Sequence, residues 1–195
     1  SSVLHGIRRF GNGHAGNGGA ILHQGTLNVF DSEFSNNSTT ASRGAILNYA
    51  VTVFVTGSTF SGNTAATAGG AISNFGSSLN VVNSTFSGNS VSGAWGGGAI
   101  YNQATVLRAP GASPNMDILG ESFGVVGVSA DSPAIPSDGT LTVINSSFSG
   151  NTAIAGGGAI GNGGNTGPGG SVTLQNNLLA GNMVGGISVN CFNSG

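Results

Sequence analysis

The chain has 195 residues, of which 37 are Gly and only 10 are Asp, Glu, Lys or Arg. Average usage is about 7% Gly and about 25% charged, so a helical domain laced with ion pairs is excluded. A formal net charge of -2 with 38% hydrophobic residues excludes a disordered tail, and four Arg against six acids leave no basic footprint for nucleic acid.

No apolar run approaches the roughly 20 residues of a membrane-spanning helix, and Gly does not recur at every third position as collagen requires. The only cysteine is Cys191, so no disulfide forms within the chain. Ser1-Ser2-Val3 carries neither an initiator Met nor the basic and apolar regions of a signal peptide. Either a leader was removed or, with an end at Ser194-Gly195, this is one domain over 1–195 taken from a longer chain.

In chain order, Gly18-Gly19-Ala20-Ile21 returns as Arg43-Gly44-Ala45-Ile46, Gly69-Gly70-Ala71-Ile72, Gly97-Gly98-Ala99-Ile100 and Gly157-Gly158-Ala159-Ile160. A second motif runs in phase: Phe34-Ser35-Asn36-Asn37, Phe60-Ser61-Gly62-Asn63, Phe86-Ser87-Gly88-Asn89 and Phe148-Ser149-Gly150-Asn151, with Leu179-Ala180-Gly181-Asn182 as a last copy. Between them lie Leu27-Asn28-Val29, Val53-Phe54-Val55, Leu79-Asn80-Val81, Leu141-Thr142-Val143 and Val172-Thr173-Leu174, whose period of two predicts short strands. Each repeat then holds about three strands and cannot bury a core alone, so copies must stack. The expected fold is all-β: a single-stranded right-handed parallel β-helix of about seven coils of about 26 residues, with coils ~4.8 Å apart.

Stacking assigns jobs to the recurring residues. Phe34, Phe60, Phe86 and Phe148 are expected to form an interior column, and Asn37, Asn63, Asn89, Asn151 and Asn182 a ladder of amides at the following turn. A second amide row reads Asn48, Asn74, Asn102 and Asn162, with His23 in the same place in the first copy. The residue after each Ile varies (Leu22, Leu47, Ser73, Tyr101, Gly161), which predicts an outward position. Alternation then puts the Ala row Ala20, Ala45, Ala71, Ala99 and Ala159 on the outer face too.

These paired motifs resemble the repeats of chlamydial polymorphic membrane proteins. They are more similar still to the right-handed β-helix repeat proteins of bacterial surfaces with a choice-of-anchor C-terminal region, where a stretch like Leu178-Leu179-Ala180-Gly181-Asn182 precedes a Cys such as Cys191. The resemblance covers about 18–102 and 139–191. It implies an extracellular or cell-surface location and, from the polymorphic membrane proteins, an association with adhesion.

One stretch breaks the period. The segment 103–139 holds four of the five prolines and Arg108, Asp117, Glu121, Asp131 and Asp138. It reads either as a lateral insertion carrying a possible binding segment or as a degenerate coil. Glycoside hydrolysis needs two converging carboxylates. The nearby pairs are Asp117 with Glu121, Asp131 with Asp138, and Asp31 with Glu33, which alternate on one strand. A lyase needs a cationic base and usually a Ca²⁺ cage, and a chain without Lys does not assemble that set along the rod. His5, His14 and His23 lack Cys or acid partners at a metal spacing, so neither metal nor cofactor is expected. Sequons at Asn36, Asn37, Asn83 and Asn145 arise from the repeat itself.

The expected function is a structural or adhesive extracellular rod without catalysis. The alternative is a carbohydrate-active β-helix, lyase-like or hydrolase-like, using 103–139. Expected partners are a surface or glycan ligand, or further copies of the chain. Self-association, as a filament or layer, is suggested by the flat Ala row and by Met183-Val184-Gly185-Gly186-Ile187, which reads as another repeat beginning rather than a cap.

Overall fold

The computed structural model of the chain describes residues 2–5, 19–23, 26–39, 44–49, 52–104, 116–117, 122–123, 139–163 and 169–193. The described residues form a parallel β-solenoid without helix. Each full turn contributes four strands to four sheets, one more than the alternation alone suggests.

Sheet 1 stacks Ser2–His5, Leu27–Phe30, Thr52–Thr56, Ser78–Val82, Thr140–Ile144 and Ser171–Gln175. Sheet 2 stacks Glu33–Ser35, Thr59–Ser61, Thr85–Ser87, Ser147–Ser149 and Leu178–Ala180. Sheet 3 is built from two-residue strands, Ser38–Thr39, Thr64–Ala65, Ser90–Val91, Thr152–Ala153 and Met183–Val184, and ends on Ile187–Ser188. Sheet 4 stacks Ile21–His23, Ile46–Tyr49, Ile72–Phe75, Ile100–Gln103, Ile160–Asn162 and Cys191–Asn193. The longest sheets hold six strands, slightly fewer than the seven coils expected.

Equivalent residues lie directly over one another. Phe34 pairs with Phe60, Phe60 with Phe86, and Phe86 with Phe148, across sequence gaps of 26 and then 62 residues. Their rings stack at 4.7, 4.8 and 4.8 Å between centroids, within 3–4° of parallel. The strand spacing of a sheet enforces this face-to-face column, which isolated aromatic pairs do not favour. Beside it run Leu27, Val53, Leu79 and Leu141, Val29, Val55, Val81 and Val143, and the Ile row of sheet 4, all in one buried core.

Two sequence expectations about sheet 4 are corrected. The Ala row is interior: Ala45, Ala71, Ala99 and Ala159 are fully buried in the same core as the Ile row. Alternation fails there because Ala lies in a bend before the strand begins. The N–H groups of both Ala71 and Ile72 donate to the Ala99 carbonyl oxygen, and those of Ala99 and Ile100 to that of Ala159. The residue after Ile does point away from the core, but Leu47, Ser73 and Tyr101 are buried all the same. The connections from sheet 3 to sheet 4 carry Ala68 and Trp95 over that outer face, making a second cluster with Leu47, Phe75 and Tyr101. Trp95, Phe75 and Tyr101 meet as tilted rings with centroids 5.6–6.3 Å apart.

The segment after Asn182 is also different from its expected reading. Met183–Val184 turns back through Gly185 and Gly186 and pairs antiparallel with Ile187–Ser188. Asn182 Nδ2 donates to Asn190 Oδ1 at 3.0 Å, closing the amide row. This hairpin covers the edge of sheet 3.

Candidate interaction site

Among the described residues, two corners of each turn have fixed length. Sheets 1 and 2 are joined by two residues: Asp31-Ser32, Gly57-Ser58, Asn83-Ser84, Asn145-Ser146 and Asn176-Asn177. The first of each pair has φ between 45° and 60°, a region in which Gly, Asn and Asp cost least. Sheets 2 and 3 are joined by Asn36-Asn37, Gly62-Asn63, Gly88-Asn89, Gly150-Asn151 and Gly181-Asn182, with φ of 55–62° at the first position.

Ladders of side chains brace both corners. Asn63 Oδ1 accepts from Asn37 N–H at 3.0 Å and from Asn37 Nδ2 at 2.8 Å. Its own Nδ2 donates to the Phe34 carbonyl and to Asn89 Oδ1, both at 2.9 Å. Asn89 and Asn151 repeat the pattern, and each amide is buried with its bonds made. A serine row, which sequence reading missed, does the same at the other corner. Ser32 N–H donates to Ser58 Oγ, Ser58 N–H to Ser84 Oγ and Ser84 N–H to Ser146 Oγ at 3.1–3.2 Å, and Asn177 Oδ1 takes the last place at 2.8 Å. The signal was Ser two residues before each Phe, obscured by the abundance of Ser elsewhere.

The corner from sheet 4 to sheet 1 varies instead. It takes two residues after Phe75, eight after Asn162 and 36 after Gln103. The second amide row grips each return: Asn74 Nδ2 donates to the Ser77 carbonyl at 2.9 Å, Asn102 Nδ2 to that of Gly139 at 3.2 Å and Asn162 Nδ2 to that of Gly170 at 2.6 Å. The row itself runs Asn48, Asn74, Asn102, Asn162 and on to Asn193 at 2.7–2.8 Å, with His23 in register above Asn48. A Cβ at Gly139 would strike the Gln103 carbonyl oxygen. The two stems of the 103–139 excursion therefore touch, and Thr140 stacks directly on Ser78.

Within that excursion Met116–Asp117 pairs antiparallel with Ser122–Phe123. Arg108, Glu121, Asp131 and Asp138 lie outside the described residues, so the carboxylate pairs expected there are not placed. Asp31 and Glu33 are both exposed and do not share a strand, because Asp31 is the left-handed corner residue. His5 belongs to sheet 1 and His23 to sheet 4, and His14 lies outside the described residues. No three His, Cys, Asp or Glu come together among the described residues. Burial pushes the pKa of the Cys191 thiol up, although the residue as a whole is exposed. Of the sequon asparagines, Asn36, Asn83 and Asn145 are exposed at left-handed corners, whereas Asn37 is buried in its ladder.

A family model, the Chlamydia polymorphic membrane protein repeat, matches residues 31–49, 57–74 and 83–103. Each match opens on the left-handed residue between sheets 1 and 2 and runs through both amide rows. The chain is a β-helix repeat protein similar to the Chlamydia polymorphic membrane proteins. In these polymorphic-membrane-protein-like repeats the matched residues are therefore the ones that brace the solenoid, while the 103–139 excursion begins where the third match stops. No curated protein and no solved structure matches the chain. Among the described residues, no helix is long and apolar enough to cross a membrane.

Proposed function

We propose that the chain is a non-catalytic, surface-displayed β-helix rod that adheres through the segment 103–139, which leaves and rejoins the solenoid at the corner between sheets 4 and 1, to a surface or glycan ligand. The carrying observation is the division of labour between corners. Buried side-chain polar groups are spent on ladders that hold two corners at constant length, while the 36-residue excursion is confined to a corner whose stems are clamped. Binding segments are commonly loops carried by such rigid frames. The similarity to polymorphic membrane protein repeats supports a location outside the cell.

The test replaces 105–138 by a short Gly-Ser link like Gly76-Ser77 and compares both proteins on intact host cells and a glycan array. The expected result is an unchanged strand spectrum with loss of binding. Undiminished binding by the shortened protein would sink the assignment to this segment. Turnover of any glycan by the intact chain would overturn its non-catalytic part.

A further inference from the structure

The outer face of sheet 1 carries an aromatic ring that the packing of the solenoid does not use. Val53 and Val55 point inward and are buried in the core, so Phe54 between them points outward, where it is 40% exposed. Asn28, Asn80, Thr142 and Thr173 hold the same position in other turns. Phe75 and Tyr101, outward on sheet 4, are covered by Trp95. Among the described residues no aromatic ring lies against Phe54. Phe30 presents a second, half-buried ring on the same face, two residues along the neighbouring strand and roughly 7–8 Å away.

The register puts an amide on each side of this ring, Asn28 in the turn before and Asn80 in the turn after, each one strand spacing of ~4.8 Å away. Asn80 Nδ2 donates to Ser78 Oγ at 3.3 Å, which steadies the amide and leaves its Oδ1 to accept. Thr52–Thr56, Ser78–Val82 and Thr140–Ile144 contain no charged residue, so an acidic glycan or a charged headgroup meets no counter-charge here. A protein interface of standard size buries roughly 800 Å² per partner around an apolar centre, which isolated rings among Asn, Ser and Thr do not supply. A neutral sugar matches on both counts. The C–H face of a pyranose covers one aromatic ring, and the hydroxyls around its rim donate and accept as an amide does.

We propose that the outer face of sheet 1 binds a neutral polysaccharide, with one sugar ring stacked on Phe54, its hydroxyls held by Asn28 and Asn80, and the glycan chain passing on toward Phe30. Such a site joins an aromatic wall to a few placed polar groups, the usual composition of a ligand site. It lies on the solenoid itself and is separate from the segment 103–139.

The test runs the whole 195-residue chain through affinity gels containing soluble neutral β-glucan, xylan or mannan. At least one of the three is expected to retard the chain, and Phe54→Ala to lower that affinity on the order of 10-fold. Asn80→Ala is expected to lower it a few-fold, whereas Ile154→Ala, at an exposed residue beyond sheet 3, leaves it unchanged. Phe54→Trp is expected to keep binding, and its emission to shift blue in saturating polysaccharide as the sugar covers the new indole. A chain that none of the three retards overturns the proposal, as does unchanged retardation of Phe54→Ala. The chain lacking 105–138 is expected to keep the Phe54-dependent binding; loss of all retardation on that deletion alone would move the sugar to the segment and overturn this site. Repeating the host-cell and array comparison in the Phe54→Ala background removes the sheet 1 contribution, so failure of the adhesive reading and failure of this one are told apart.

Discussion

Asn89 uses the whole of its amide. Its Oδ1 accepts from Asn63 N–H and Nδ2, and its Nδ2 donates to the Phe60 carbonyl and to Asn151 Oδ1. Removing it leaves the buried backbone N–H of Asn63 without its acceptor, so Asn89→Ala is expected to cost about 1–3 kcal/mol in denaturant unfolding. Asn89→Asp keeps the shape but loses both donors and buries a carboxyl. Desolvation raises the folded pKa of the introduced acid above its unfolded value. The folded state then binds the proton more tightly, so this variant is expected to gain stability as pH falls through that range. A glycine can be as exacting. A Cβ on Gly98 would strike the Gly158 carbonyl oxygen of the next turn, so Gly98→Ala is expected to open the stack locally.

At the scale of elements, the outer face of sheet 4 offers an optical check. Trp95 is the only tryptophan and is 7% exposed against Phe75 and Tyr101. Its emission is expected to be blue-shifted and to move red only when that face opens. Trp95→Ala uncovers Phe75 and Tyr101, at a cost of about 3–5 kcal/mol. This cluster was not legible in the sequence, for a physical reason. The residue after each Ile varies because its cover comes from connections of six to eight residues that differ between turns. Rows such as Phe34 to Phe148 and Asn37 to Asn182 were legible because a strict register demands the same residue in every copy. The Ala row was misread because period-two alternation was carried through a bend. Val184-Gly185-Gly186-Ile187 was misread because a hairpin and a corner call for the same glycines. The proposed binding segment was legible only as an interruption, through its Pro and charge content.

The described turns hold together with almost no titratable interior. The buried polar side chains among the described residues are Ser, Thr, Asn and Gln. Folding therefore exchanges few protons over the neutral range, and linkage makes stability nearly flat with pH. Thermal midpoints between about pH 5 and 9, and between about 0.05 and 0.5 M salt, are expected to agree within a few degrees. A steep dependence on either would place essential charges in the segments beyond the ladders.

The unequal spacing of the Phe column has a mechanical consequence. Each turn is bonded only to its two neighbours, so a rod pulled from its termini gives way one turn at a time. Register gaps of 26 residues between Phe34, Phe60 and Phe86 correspond to released lengths of roughly 90 Å each, at ~3.5 Å per extended residue. The gap of 62 residues to Phe148 corresponds to a single release of roughly 215 Å. An optical trap is expected to record that one long jump among short ones. Its place in the sequence of ruptures reports which end of the rod peels first.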